Sequence, residues 1–222
     1  MSDLPSPRRL GSTYVLDERI GAGAQGEVWR GRRTASAESG GGYAAPGVDE
    51  VLAFKLLRAD LVEDVGVVDR FIKERSTLLR VRSPYVVAIR DVVIEGSTFA
   101  IAMDYVSGGD LKDLLREHGP LTPAEVARVG ADVAAGLAAV HGAGVVHRDV
   151  KPANILMDSA TSPPTPRVAD FGVARISDTV ASGHVTGIMG TPLYMAPEIL
   201  SAQVPSAAAD IYSLGVVLYE AS

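Results

Sequence analysis

Apolar and polar residues tend to alternate along the first half of the chain, which is the spacing of strands with one buried face. From Tyr14 to Trp29 the alternation surrounds glycines at positions 21, 23 and 26, which predicts a strand, a glycine-rich turn and a second strand. Val51 to Leu57 is a short apolar strand that carries one lysine. Tyr85 to Ile94 and Thr98 to Val106 are also strand-like. The first half is therefore predicted to contain a sheet.

The spacing becomes helical at four places. In the first half, apolar residues at helical intervals predict a helix over Val67 to Val81. In the second half, Asp110 is a candidate N-cap for a helix over Leu111 to His118. The segment Thr122-Pro123-Ala124-Glu125 is a capping box with proline at the first helical position, and it opens a helix to about residue 141. A last helix begins near Ser206, so the second half is predicted to be mostly helical.

Two segments have the composition of loops. Gly31 to Glu50 is rich in glycine, alanine and serine and has no periodicity, which is typical of a surface loop. Thr161 to Pro166 is rich in proline and lies between two short predicted strands, Ile155 to Met157 and Arg167 to Ala169. These strands predict a small hairpin among the helices of the second half.

The composition is that of a globular protein. Hydrophobic residues make up 47% of the 222 residues and charged residues 22%. The net charge of −6 argues against a nucleic-acid-binding surface. The chain has no cysteine, which excludes a disulfide framework and thiol catalysis, and four scattered histidines do not favour a zinc site. No signal peptide or membrane-length apolar run is visible, so the expected location is the cytoplasm.

Residues 147–154 read H-R-D-V-K-P-A-N and combine three side chains suited to phosphoryl transfer. The carboxylate of Asp149 can accept a hydroxyl proton, and the ammonium group of Lys151 can hold a γ-phosphate. The amide of Asn154 can bind a metal ion. Such a segment requires a phosphate-binding element and a second metal ligand elsewhere in the chain.

Candidates for both lie on either side of this segment. Ile20 to Val28 contains the pattern G-x-G-x-x-G, whose glycines let a backbone approach phosphates closely. Alone, the pattern fits a plain glycine-rich hairpin better, and the strand that follows disfavours a dinucleotide-binding fold, which requires a helix there. Asp170-Phe171-Gly172 follows a short strand, where an aspartate can hold a metal that bridges phosphates, although Asp-x-Gly also forms ordinary turns.

Lys55 and Glu74 are a predicted ion pair. Lys55 lies inside an apolar strand, where a lysine without a partner is rare, although a lysine can also protect an edge strand from aggregation. Glu74 falls on the same predicted helix face as Phe71 and Leu78. A carboxylate on an apolar face requires a cation, and Lys55 is the natural candidate. An exposed Glu74 beside its basic neighbours is the alternative.

Together these motifs resemble those of the eukaryotic-like (Hanks-type) protein kinase family, in its bacterial serine/threonine branch. Their order is that of the family: glycine loop, strand lysine, helix glutamate, H-R-D loop, D-F-G, then A-P-E at residues 196–198 and D-x-Y-S-L-G from Asp210. The resemblance covers about Tyr14 to Ser222. It implies an α+β, bilobal protein-kinase-like fold with an antiparallel-sheet N-lobe and a mostly helical, incomplete C-lobe. An N-terminal tail over 1–10 would precede a kinase domain over 11–222, with the N-lobe and hinge over 11–106 and the partial C-lobe over 107–222.

The resemblance also implies contacts with the phosphates of ATP and with Mg²⁺. Lys55, paired with Glu74, is expected to hold the α- and β-phosphates. Asn154 and Asp170 are the expected Mg²⁺ ligands. The glycines expected to cover the phosphates are Gly21, Gly23 and Gly26.

Adenine is expected to contact apolar side chains and the backbone of a hinge. Met103 resembles the gatekeeper of the family, and Asp104 to Val106 resembles the hinge whose backbone bonds adenine. Asp110 matches a position that often contacts the ribose or a basic substrate residue. The side chains expected to enclose the adenine are Ile20, Val28, Ala53 and Leu156.

The resemblance makes Asp149 the catalytic base, which orients the substrate hydroxyl and accepts its proton late. Lys151 in this loop is similar to that of serine/threonine kinases, and Thr191 is expected to contact both residues. Asp210 is expected to brace the loop from the last helix. Most of the rate should come from positioning and charge neutralisation.

The implied function is ATP- and Mg²⁺-dependent phosphorylation of serine and threonine in proteins, with autophosphorylation of the activation loop. Thr186 is the predicted phosphosite, with Thr179 and Ser182 as alternatives. Protein substrates are the expected partners and nucleic acids are not, while a dimer would allow autophosphorylation in trans.

The end of the sequence departs from the family pattern. A full kinase lobe continues well past the last helix, and the usual arginine partner of Glu198 would lie beyond Ser222. The chain is therefore expected to be C-terminally truncated, with room for a membrane anchor downstream. A pseudokinase or regulatory ATP-binding module is the alternative if the truncated lobe is the natural form. A small-molecule kinase of similar fold is disfavoured by the A-P-E segment and Thr191.

Overall fold

The computed structural model describes residues 8–23, 26–34, 50–57, 76–96, 98–171, 192–201 and 203–222. The chain divides into two compact units. The first contains Met1–Arg75 and Ala88–Tyr105, and the second contains Ser76–Val87 and Val106–Ser222. The predicted helix over 67–81 lies largely outside the described residues; in its described part, 76–81, residues 76–78 are helical, so the helix ends before residue 81.

The first unit contains an antiparallel sheet of six strands, which are β1 Arg8–Leu10, β2 Tyr14–Gly23, β3 Gly26–Arg33, β4 Val51–Leu57, β5 Ile89–Glu95 and β6 Thr98–Asp104. Their order in the sheet is β1-β2-β3-β4-β6-β5. Four of its strands differ from the prediction. Two differ only at their ends, since β3 continues to Arg33, inside the predicted loop over Gly31 to Glu50, and β6 ends at Asp104 and not at Val106. The first strand was not predicted, because three residues are too few to display a period. The fifth begins later than expected, since Val86 instead forms an isolated bridge with Val168.

Side-chain contacts join the two ends of this sheet. The Tyr14 hydroxyl donates to Asp91 Oδ2 at 2.9 Å, and the Gly11 N–H donates to Glu95 Oε2 at 2.8 Å. Since β2 and β5 lie near opposite ends of the strand order, the sheet must curl for these contacts to form. The curled sheet encloses an apolar cluster on one face. Its buried members are Leu10, Tyr14, Leu16, Leu52, Phe54, Leu56, Ala100 and Ala102.

Gly26 begins β3 where no side chain fits. Its φ is +144°, and a Cβ there would lie 1.9 Å from the carbonyl oxygen of Leu56 on the neighbouring strand. We expect Gly26→Ala to lower the free energy of unfolding by roughly 1–3 kcal/mol, measured by denaturant titration. Gly23→Ala is the matched control, because a Cβ at Gly23 meets no described atom within 4 Å. Equal stability of the two variants would contradict this account of Gly26.

The second unit is mostly helical, as predicted. Among the described residues, its helices of four or more residues are α1 Leu111–His118, α2 Pro123–Gly142, α3 Pro197–Leu200 and α4 Ala207–Ala221, and its hairpin pairs β7 Ile155–Asp158 with β8 Thr165–Val168. Single 3₁₀ turns cover Pro152–Asn154 and Pro192–Tyr194. The proline-rich loop is shorter than predicted, because Thr165 already belongs to β8.

Both predicted caps are confirmed. Asp110 Oδ1 accepts a hydrogen bond from the Asp113 N–H at 2.8 Å at the start of α1. Thr122 and Glu125 form the reciprocal bonds of the capping box at the start of α2. These bonds satisfy N–H groups that the first turn of a helix leaves without partners.

The apolar core of the second unit lies between α2, α4 and the hairpin. Gly136 on α2 permits close packing, since a Cβ there would lie 2.5 Å from the carbonyl oxygen of Tyr85. Among the described residues, no helix has the length and apolar content needed to cross a membrane. The buried core residues are Leu111, Val129, Val133, Leu137, Val150, Ile155, Met157, Val168, Leu214 and Val217.

Candidate active site

The H-R-D segment lies between α2 and β7, and it brings Asp149, Lys151 and Asn154 together. Lys151 Nζ donates to Asp149 Oδ2 at 2.7 Å. Asn154 Nδ2 donates to the same oxygen at 2.9 Å and to the Asp149 backbone carbonyl at 2.7 Å. The three side chains that the sequence singled out therefore form one hydrogen-bonded group.

Within this group, one carboxylate oxygen of Asp149 and the amide oxygen of Asn154 remain available for other contacts. Both side-chain bonds to Asp149 go to Oδ2, and within the described ranges Oδ1 accepts no hydrogen bond. The amide nitrogen of Asn154 is oriented by two oxygens of Asp149, which assigns its Oδ1 as an acceptor directed elsewhere. Asp149 thus offers a carboxylate oxygen for a proton, and Asn154 offers a hard oxygen ligand.

Asp210 holds the backbone of the segment from α4. Its side chain is only 1% exposed. Asp210 Oδ2 accepts from the His147 N–H and Oδ1 accepts from the Arg148 N–H, each at 2.8 Å. A third bond joins Oδ2 to His141 Nε2 at 2.7 Å. The expected brace is present, and it fixes Arg148 in the left-handed region at a φ of +71°.

His147 connects the segment to the strand end that precedes Asp170. Its Nδ1 accepts from the Asp149 N–H at 3.2 Å, so its proton is assigned to Nε2, which donates to the Ala169 carbonyl at 2.8 Å. The Ala169 N–H donates in turn to the Asn154 carbonyl at 2.9 Å. These bonds place Ala169, the residue that precedes Asp170, beside Asn154, and Asp170 itself has a φ of +61°.

Lys55 is buried in the sheet of the first unit, with 5% of its surface exposed. It lies on β4 between Val28 of β3 and Ile101 of β6, so the edge-strand alternative is wrong. Lys55 and Ala53 alternate with Leu52, Phe54 and Leu56, which belong to the apolar cluster. Lys55 and Ala53 therefore face away from that cluster.

The register places two further predicted contacts on this opposite face. Val28 pairs with Lys55, and Met103 pairs with Ala53. Paired residues of antiparallel strands project to the same side. Four predicted nucleotide-site positions thus share one face of the sheet, and this face carries a buried cation. The four are Val28, Ala53, Lys55 and Met103.

The glycine segment forms the β2–β3 hairpin. Gly21 has ordinary backbone geometry, and a Cβ added at this position would have only van der Waals contact with Val28. Ile20 is 44% exposed beside it. Near the turn of the hairpin, Trp29 Nε1 and Arg19 Nη1 each donate to Glu27 at 3.0 Å. These two bonds, that of Trp29 first, lower the pKa of Glu27.

The remaining predicted nucleotide contacts have diverse surroundings. The Asp104 N–H donates to the Ala88 carbonyl at 3.0 Å, and the Asp104 carboxylate accepts from Arg90 Nε. Asp110 caps α1, and burial raises its pKa. Leu156 lies on β7 in an isolated bridge with Asp110. The Val106 N–H donates to no backbone carbonyl within the described parts of the chain.

Several predicted residues lie outside the described residues. They include the predicted partner of Lys55 and every activation-segment threonine. They are Glu74, Gly172, Thr179, Ser182, Thr186 and Thr191.

Two ionisable residues, one in each unit, contact predicted residues but were not themselves singled out from the sequence. His141 was assigned only to the end of a helix, yet it contacts the buried Asp210. Arg90 was assigned only to a strand, yet it contacts Asp104. For Arg90 a charged residue within an apolar strand was the available signal. For His141 the sequence carries no signal, because its partner is distant in the chain.

Comparison with known proteins gives one consistent family. The family model described as "Protein kinase domain" matches residues 14–222. The serine/threonine-protein kinases PkaA and PkaB of Streptomyces coelicolor are each 44% identical to the chain over 96% of its length. The chain spans 39% of PkaA and 49% of PkaB, less than half of either protein.

A solved structure shares the fold. The crystal structure of the Mycobacterium tuberculosis PknI kinase domain superposes on the whole chain with a TM-score of 0.73. Its sequence is 25% identical, and the chain covers 77% of it. The predicted fold class, with an antiparallel-sheet portion and a helical portion, is confirmed.

Proposed function

Because this chain belongs to the protein kinase domain family, we propose that it transfers the γ-phosphate of ATP to serine and threonine hydroxyl groups of proteins. The observation that carries the proposal is the arrangement about Asp149. Its Oδ2 is held by Lys151 and Asn154, while Oδ1 accepts nothing among the described residues. A carboxylate held at one oxygen presents the other in a defined direction to a hydroxyl group.

The choice of serine or threonine as acceptor is supported by Lys151 and by the relatives. PkaA and PkaB, which are each 44% identical to the chain, are named serine/threonine-protein kinases. An ammonium group has three donors, and one of them is used by Asp149. The other two can hold a γ-phosphate next to the carboxylate that orients the acceptor.

The first unit supports a role for Lys55 in phosphate binding. A lysine that is 5% exposed on an inner strand is a buried cation, which suits an anionic ligand, and its face of the sheet also carries Val28 and Ala53. Gly21 supports the same proposal, because a side chain would fit there within the described structure. The described packing does not require glycine at this position, so a glycine here suits close approach by a phosphate.

Mg²⁺ would be held by Asn154 and Asp170. Their carboxylate and amide oxygens are the hard ligands that Mg²⁺ prefers, and phosphate oxygens of the nucleotide would complete its shell. When bound, the ion would neutralise charge that develops on the transferred phosphoryl group. Asn154 suits this role, because its nitrogen is already oriented by Asp149.

Autophosphorylation at Thr186, with Thr179 and Ser182 as alternatives, is part of the proposal. A dimer would allow this reaction in trans, and proteins rather than nucleic acids are the proposed substrates. Phosphate mapping of active protein tests the assignment. An unmodified and dispensable Thr186 would contradict it.

The proposed activity is tested by incubating the chain with γ-labelled ATP, Mg²⁺ and a generic basic protein. We expect Lys55→Met to reduce phosphate transfer by about 10²-fold or more, since it removes a buried cation from the phosphate site. Lys112→Met is the matched control, because Lys112 is exposed on α1. Wild-type transfer no greater than that of Lys55→Met would overturn the enzyme assignment and leave a nucleotide-binding module.

A further inference from the structure

We propose that Arg90 is a positioning residue of the nucleotide site, which fixes Asp104 and thereby favours adenine over guanine nucleotides. Arg90 was not among the residues expected to contact ATP. The proposal rests on the proposed function, because it assumes that the backbone at Asp104 binds the purine base. It concerns the specificity of that site.

The first observation is an irregularity in the sheet at Arg90. Ile89 pairs with Met103 and Asp91 pairs with Ala102, so two steps along β5 correspond to one step along β6. Arg90 is therefore the extra residue of a β-bulge. Bulges re-aim a side chain that strict alternation would direct elsewhere.

The bulge coincides with an ion pair on the hinge. Arg90 Nε donates to Asp104 Oδ1, and Arg90 Nη2 lies 3.9 Å from Glu50 Oε1. The side chains of Arg90 and Asp104 are 26% and 13% exposed. A charge-assisted hydrogen bond with this burial holds its partner more firmly than an exposed surface pair does.

Further contacts hold the same short stretch of backbone. The Asp104 N–H donates to the Ala88 carbonyl at 3.0 Å. The Arg30 guanidinium carbon lies 5.8 Å from the ring centre of Tyr105, the next residue. The main chain at Asp104 is thus held by backbone and side-chain contacts within the first unit, and Arg90 adds an ionic contact to its carboxylate.

A fixed backbone distinguishes the two purines by the direction of their hydrogen bonds. Adenine presents an amino donor at position 6 and an acceptor at N1, whereas guanine presents a carbonyl acceptor and an N1–H donor. A peptide edge held in one register complements only one of these patterns. Loss of the Arg90 contact should let the edge tilt, which weakens adenine binding more than guanine binding.

The test compares the binding of fluorescent ATP and GTP analogues to the wild type, Arg90→Ala, Arg90→Lys, Asp104→Asn and the double variant Arg90→Ala/Asp104→Asn. We expect Arg90→Ala to weaken ATP binding by about 5- to 10-fold and to reduce the ATP-to-GTP preference by a similar factor. Arg90→Lys should retain part of the preference, because it keeps the charge and loses the planar fork. The double variant Arg90→Ala/Asp104→Asn should be no worse than Arg90→Ala.

The control variant is Arg32→Ala, which removes an exposed arginine 3.7 Å from Asp17 on the same sheet. An unchanged ATP-to-GTP preference in Arg90→Ala, or an equal loss in Arg32→Ala, overturns the proposal. If the wild type binds neither nucleotide, the proposed function itself fails. A loss of affinity for both nucleotides in equal proportion would reduce Arg90 to a structural role and also overturn it.

Discussion

Replacing Asp149 by asparagine should slow phosphate transfer by about 10²- to 10⁴-fold, the range that a positioned general base contributes. The substitution keeps the size of the side chain but removes the charge and the second acceptor oxygen. Lys151 would lose the anion that it contacts at 2.7 Å. ATP binding should change little, because the proposed contact of Asp149 is with the acceptor hydroxyl. Steady-state kinetics with separate kcat and KM values for ATP measure both effects.

Asp158→Asn is the matched control for Asp149→Asn. Asp158 is also a half-buried aspartate in an ion pair, with Arg167 at 3.4 Å, but it lies on β7. We expect its kcat to stay within about twofold of the wild type, because part-exposed ion pairs contribute little. A similar kcat for Asp149→Asn and the wild type would exclude the assigned base.

The second large effect is expected at Asp210, which stabilises the H-R-D segment without contacting substrate. Asp210→Ala should remove three hydrogen bonds and leave the N–H groups of His147 and Arg148 buried without the partner they have in the wild type. We expect the free energy of unfolding to fall by roughly 2–5 kcal/mol, with loss of most activity. Denaturant titration and the transfer assay measure these losses.

Asp210→Asn is a milder change at the same position. Asparagine retains one acceptor oxygen, so one backbone N–H keeps its partner and the stability loss should be smaller than for alanine. Asp132→Ala on α2 is the control, since Asp132 makes a partly exposed pair with Arg128 at 3.8 Å. An Asp210→Ala variant as stable as Asp132→Ala would contradict the bracing role.

Local patterns predicted those parts of the fold that depend on neighbours in the chain. The helix caps and the apolar run of β4 involve residues within a few positions of each other, so their spacing is visible in the sequence. The H-R-D segment was predictable for the same reason, because Asp149, Lys151 and Asn154 contact one another directly.

Features that depend on distant partners could not be predicted. The start of β5 is shifted because Val86 pairs with Val168, far along the chain. The contacts of Arg90 with Asp104 and of His141 with Asp210 likewise join residues that are distant in the chain. A bulge that directs one side chain toward a residue on the next strand leaves no periodic pattern in the sequence.

The closure of the curled sheet determines when the first unit can fold during synthesis. Its two closing bonds join residues 77 and 84 positions apart, Tyr14 to Asp91 and Gly11 to Glu95. A nascent chain therefore exposes β1 to β4 before the strand that completes their sheet has left the ribosome. Domains generally fold as units during synthesis. The N-terminal strands must wait, with an apolar face uncovered, until residues beyond Glu95 emerge, which makes this interval the one in which a chaperone would be of most use.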